Sequence, residues 1–120
     1  SCSAFISACG KSGHWELALR VFETMHERRV RPNVISYSAG ISACERGAAW
    51  PFALQLFQGM SADGVLPNVI SYNATLSAIE KGGEWELVMQ MFRAMPRAQL
   101  KPDLASYSTA MCALQHGEQW

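Results

Sequence analysis

The sequence repeats itself every 35 residues, and that period constrains the fold more tightly than any other feature. Shifting the chain by one period aligns Trp15, Trp50, Trp85 and Trp120 without a gap. Phe22, Phe57 and Phe92 form a second column, and Met25, Met60 and Met95 a third. Pro32, Pro67 and Pro102 form a fourth, and Tyr37, Tyr72 and Tyr107 a fifth. Residues 34–68 and 69–103 are identical at 14 of 35 positions, against about two for unrelated chains of ordinary composition. Residues 1–120 therefore read as a single array with units 1–33, 34–68, 69–103 and 104–120. The first and last units are incomplete, so the sequence reads as a stretch of a longer protein.

Each unit carries the pattern of two helices. Asn33 follows Pro32 and suits an N-cap. Val34, Tyr37, Ile41 and Cys44 then recur at helical spacing, with Ile35, Ser38, Ser42 and Glu45 on the opposite stripe. Gly47 ends this helix, and Pro51 suits the first turn of the next. Phe52, Ala53, Leu56, Phe57 and Met60 share one face of the second helix, which Gly64 breaks. The third unit repeats the design with Val69, Tyr72, Leu76 and Ile79, then Leu87, Val88, Met91, Phe92 and Met95. The spacing predicts helices at 34–46, 51–62, 69–81 and 86–95, with Trp50 and Trp85 buried in the core or at the helix turn. Short connections make each pair an antiparallel hairpin. One pair cannot bury its apolar face alone, so neighbours stack. The expected fold is all-α: a right-handed superhelical solenoid of stacked antiparallel helix pairs, tetratricopeptide-like in architecture.

Composition then limits function. Hydrophobic residues make up 49% of the chain, enough for a core and too many for a disordered tail. Ten basic residues balance ten acidic ones, so a nucleic-acid partner would need locally placed positive charge. Lys11, Arg46, Lys81 and His116 supply a basic column at the repeat period. No apolar run reaches the roughly 18 residues of a membrane span. Cys9 and Cys44 exchange with Ile79 and Leu114, Cys2 with Tyr37, and Cys112 with Ser42. They read as small hydrophobes, and with no C-x-x-C pair a zinc site is not expected. Free, scattered thiols suit a reducing compartment. His14 and His26 have no counterparts in other units. Nucleophile elbow, phosphate loop, paired carboxylates and deaminase signature are all missing. The expectation is a protein without enzymatic activity, cofactor, metal or small-molecule substrate.

The phrases PNVISYNATLSAIEKGG and MFRAM, the Pro-Asn/Asp junction, the Tyr four residues after it and the Phe-x-x-Met of the second helix resemble the pentatricopeptide repeat family over the whole chain. The period and the lack of a W-x2-L-G-x2-Y signature separate it from the tetratricopeptide repeat. Units of uniform length resemble the plain arrays of the family. Trp15, Trp50 and Trp85 depart from it, standing where a smaller aliphatic residue is more common. The resemblance implies that the residue after the Tyr and the last residue of each unit select one RNA base together. Residue by residue, those pairs are Ser3 with Asn33, Ser38 with Asn68, and Asn73 with Asp103, while Ser108 opens a fourth pair. The family code reads them as A-A-U, followed by a purine. Ile35, Ile70 and Ala105 fall where the family wedges a side chain against the base face. Lys11, Arg46, Lys81 and His116 fall where it approaches phosphate.

The resemblance thus implies sequence-selective binding of single-stranded RNA in the processing, stabilisation, editing or translation of transcripts. It implies an organelle location, chloroplast or mitochondrion, with other RNA-processing proteins as further partners. A protein–protein scaffold holding a peptide in the same groove is the alternative. The Ser, Asn and Asp choices at two fixed columns favour RNA, because a peptide groove calls for larger and more varied residues.

Overall fold

The computed structural model describes residue 8, residues 11–12, 14–30 and 32–118. Among these, six helices follow one another: α1 Trp15–Glu27, α2 Val34–Arg46, α3 Trp50–Ala62, α4 Val69–Lys81, α5 Trp85–Arg97 and α6 Leu104–Glu118. No strand occurs among the described residues. The helices α2 and α4 have the predicted bounds. The helices α3 and α5 each begin one residue earlier, on a tryptophan, and α5 runs on through Pro96. Pro96 gives up one i→i−4 bond, but its carbonyl accepts from Gln99 N–H at 2.9 Å and the turn still closes.

Side-chain caps start the first helix of each unit. Asn33 Oδ1 accepts from Ser36 N–H at 2.8 Å, Asn68 Oδ1 from Ser71 N–H at 2.9 Å, and Asp103 Oδ1 from Ser106 N–H at 3.0 Å. The second helices start without a side-chain cap. Their C-terminal turns close in one way: Val30, Val65 and Leu100 donate to Met25, Met60 and Met95 at 2.8, 2.8 and 2.9 Å. This closure puts Arg29, Gly64 and Gln99 at φ 57°, 75° and 62°. One backbone requirement thus recurs at the repeat period, and glycine meets it in only one of three units.

Packing divides the helices into two layers. The first helices form a continuous row, with α2 against α4 and α4 against α6. The second helices α1, α3 and α5 keep their backbones apart; α3 and α5 each rest on the two first helices that flank them, and α1 rests on α2 and meets α3 through side chains at its two ends. Such a row, backed on one side only, is the geometry of a superhelix. The Phe and Tyr columns prove to be one contact made three times across unit boundaries. Phe22 meets Tyr37 at 5.0 Å between ring centroids, Phe57 meets Tyr72 at 4.7 Å, and Phe92 meets Tyr107 at 5.3 Å. Ile41, Met60, Leu76, Ile79, Val88 and Met95 are fully buried around these rings, each contributing roughly 1.5–3 kcal/mol of hydrophobic stabilisation.

Trp15, Trp50 and Trp85 are half-buried rather than buried, and Trp120 lies outside the described residues. Each of the three opens a second helix and meets the following unit. Trp15 stacks on Phe52 at 4.9 Å, Trp85 on His116 at 5.3 Å, and Trp50 covers Gly82. Cys44 sits in the core, where burial pushes its thiol up to about 12. Cys112 is exposed. Cys2 and Cys9 lie outside the described residues. On α6 the columns covered in α2 are open, and Leu104, Tyr107, Met111 and Leu114 are exposed.

Candidate functional site

The row formed by α2, α4 and α6 carries the stripe opposite the core, and the candidate residues sit on it. Ile35 and Ile70 are 62% and 64% exposed, unusual for isoleucine in a folded chain. Ala105 is exposed in the same column. Between these apolar points lie the capping residues and the residues that follow each Tyr. Asn33 and Asp103 are exposed, Asn68 and Asn73 half-buried, and Ser108 exposed. Ser3 lies outside the described residues.

The third unit brings its two candidates together. Asn73 Nδ2 donates to Asp103 Oδ1 at 3.0 Å, joining residues 30 apart in sequence. The Asp103 carboxyl is held below the usual carboxylate range, first by the Ser106 backbone N–H and then by the Asn73 amide. It is therefore an acceptor at neutral pH. The second unit differs. Ser38 is nine-tenths buried, and its Oγ has no hydrogen-bond partner among the described residues. Ser108, in the same column on α6, is exposed. Asn68 is occupied as a cap, since Ser71 Oγ accepts from its N–H at 2.9 Å and donates to its carbonyl at 2.8 Å.

The serine column Ser36, Ser71 and Ser106 was not singled out in the sequence. All three are buried beneath the caps. The signal was present as Asn/Asp-x-x-Ser at every junction, a spacing that allows reciprocal capping.

The basic column is exposed, yet each member described also has a local contact. Arg46 Nη1 donates to the Lys11 carbonyl at 3.2 Å and ties α2 to the preceding unit. Lys81 Nζ lies 2.8 Å from Glu45 Oε1 of the preceding unit. His116 stacks on Trp85. The sequence pattern gave Glu45 no role beyond its stripe. Its carboxylate sets a negative charge beside the column and reduces the free positive charge there.

A second cluster lies outside the groove. His26 Nδ1 hydrogen-bonds the Phe22 carbonyl at 2.9 Å and Nε2 lies 3.3 Å from Asp63 Oδ2. The same carboxylate accepts from the Tyr37 hydroxyl. The Phe22 carbonyl and then the Asp63 charge raise the His26 pKa against the opposing effect of burial. Burial, with Asp63, pushes the Tyr37 phenol up. These groups rim an open cleft of about 610 Å³ between α1 and α3. Among the described residues no group of three or more His, Cys, Asp or Glu is placed to hold a metal ion. No helix among them is long and apolar enough to cross a membrane.

Comparison with known proteins agrees with this architecture. The maize pentatricopeptide repeat protein PPR10 superposes with a TM-score of 0.81 and 25% identity over 92% of this chain. Its complex with an 18-nt psaJ RNA element gives 0.80 and 21%. The chain spans 16% of that protein's length. The pentatricopeptide repeat domain of Arabidopsis thaliana protein-only RNase P 1, solved in complex with tRNA, gives 0.79 and 19%. That superposition covers 99% of this chain and 70% of the domain. No match was found among curated proteins. The model of the PPR repeat family matches residues 1–46 and 67–116. With the 35-residue period, the two-layer helix stack and that match in agreement, the chain belongs to the PPR repeat family.

Proposed function

We propose that this chain binds single-stranded RNA along the stripe of α2, α4 and α6, one base per repeat. One observation carries the reading: Asn73 and Asp103 meet at 3.0 Å on that stripe, between the exposed side chains of Ile70 and Ala105. A polar edge flanked by apolar surfaces suits a flat heterocycle, which needs hydrogen bonds at its rim and contact on its faces. Small residues at 38, 73 and 108 leave room for a base, which supports RNA over a peptide. The pairs Ser38 with Asn68 and Asn73 with Asp103, with Ser3 and Asn33 before them, give A-A-U as the target. Relatives solved with RNA add support. The chain would serve RNA processing, stabilisation, editing or translation in a chloroplast or mitochondrion, through occupancy of its target and not chemistry.

A repeat swap tests this. Ser38→Asn with Asn68→Asp gives the second unit the third unit's pair while keeping a cap of similar strength. Ser38 is nine-tenths buried, so the larger asparagine should cost about 1–3 kcal/mol of stability, and circular dichroism checks that the variant keeps its fold. Preference at that position should switch from adenine to uracil by the roughly 1–3 kcal/mol of a base-edge contact, with its neighbours unchanged. A folded variant that keeps its adenine preference would show that these residues are caps and spacers.

A further inference from the structure

The Asn73 carboxamide is held from both sides. Its Nδ2 donates to Asp103 Oδ1 at 3.0 Å. Its Oδ1 accepts from the hydroxyl of Ser106, on the next unit. That hydroxyl lies closer to Asn73 than to Asp103 Oδ1, which is 3.0 Å away. Ser106 is fully buried and cannot reach a base. In the second unit the equivalent hydroxyl turns elsewhere. Ser71 Oγ donates to the Asn68 backbone carbonyl, and Ser38 Oγ finds no partner among the described residues. The buried serine therefore reaches back across the unit boundary where an asparagine is there to meet it.

A carboxamide has a donor end and an acceptor end of nearly equal shape. What it offers a base depends on which end its surroundings occupy. With Oδ1 taken by Ser106 and one N–H by Asp103, the groove receives the second Asn73 N–H beside the free Asp103 Oδ2. That is one donor next to one acceptor. Uracil presents the complement, a carbonyl oxygen next to N3–H. Cytosine in the same seat sets its unprotonated N3 against the carboxylate.

We propose that Ser106 is a positioning residue for base selection. Its hydroxyl commits the Asn73 carboxamide to show N–H to the groove and thereby strengthens the choice of uracil in the third unit. This inference rests on the RNA-binding reading above. It adds a third residue, hidden from the ligand and supplied by the following repeat, to the two that face the base.

The test compares Ser106→Ala with Ser71→Ala in this chain, titrating short RNAs that vary at one base. Both variants keep the backbone N–H that closes the cap. Ser106→Ala should lower uracil-over-cytosine preference at the third position about 3- to 10-fold, and the second position should stay unchanged. Ser71→Ala should leave adenine preference at the second position intact. In an Asn73→Ser background, Ser106→Ala should have no further effect on selectivity. Without RNA, the two Asn73 amide protons should be well separated and slow to exchange by NMR, and should converge in Ser106→Ala. Preference retained within twofold in Ser106→Ala, or equal losses in both alanine variants, would overturn the proposal and leave the RNA reading standing. A wild-type chain with no base preference at the third position would overturn both.

Discussion

Lys81 Nζ lies 2.8 Å from Glu45 Oε1, a carboxylate on the preceding unit. Three free cations in this column would give log affinity a slope near −2 against log salt, at roughly −0.7 per phosphate contact. With Lys81 shared, the native chain should show a shallower slope. Glu45→Gln should steepen it by about 0.7 and strengthen binding at low salt. Arg46→Ala should flatten it without altering base preference. Fluorescence anisotropy across a salt series measures both, and an unchanged slope in each would remove the column from the RNA path.

Trp50 and Gly82 form a lid and seat. A Cβ on Gly82 would fall 2.1 Å from Trp50 Cδ1, so the indole must move. Gly82→Ala should cost about 1–3 kcal/mol. Gly117 has nothing within 4 Å of such a Cβ, and Gly117→Ala should be neutral or stabilise α6 by up to about 1 kcal/mol. Urea denaturation of the two variants provides the contrast, and equal effects would contradict it.

Arg29 and Gln99 adopt the left-handed backbone that Gly64 provides one unit away. Arg29→Gly and Gln99→Gly should each raise stability by about 0.5–1 kcal/mol, and Gly64→Ala should lower it by about 1 kcal/mol. A loss of stability in both glycine variants would mean that their side chains matter more than the strain.

His26 makes stability weakly pH-dependent. Its folded pKa is raised, so its contribution is complete below the ordinary value of 6.5 and fades as pH rises through the raised one. The side chain is 56% exposed, and solvent screening keeps the effect below about 1 kcal/mol. The melting temperature should fall slightly between about pH 6 and pH 8, and His26→Gln should flatten that change. An identical profile in the variant would assign the dependence to other groups.

The helices and their period were readable because hydrophobic spacing fixes both. The contacts between columns were not. That the Phe column meets the next unit's Tyr column follows from the stacking, which an alignment of units does not contain. Glu45 and Lys81 are 36 apart, one residue off the period, so no column joins them. The left-handed turn was hidden because Arg29 and Gln99 occupy it as well as Gly64. The burial of Ser38 was not legible, since its column is exposed at Ser108 and half-buried at Asn73. Ser106 was given no role from the sequence, because its contact with Asn73 crosses a unit boundary.

The clefts between second helices have a mechanical consequence. A ribbon whose two edges were equally filled would resist changes of pitch throughout. Here the row of α2, α4 and α6 is continuous, while α1 and α3 meet only through Trp15 on Phe52 and His26 beside Asp63, with an open cleft between those contacts. Such a stack behaves as a coil spring with a stiff inner rail and compressible outer gaps. Small rotations at each unit boundary accumulate along the array. The spacing of Ile35, Ile70 and Ala105 along that row can then change with the pitch, with the aromatic contacts of each boundary serving as pivots.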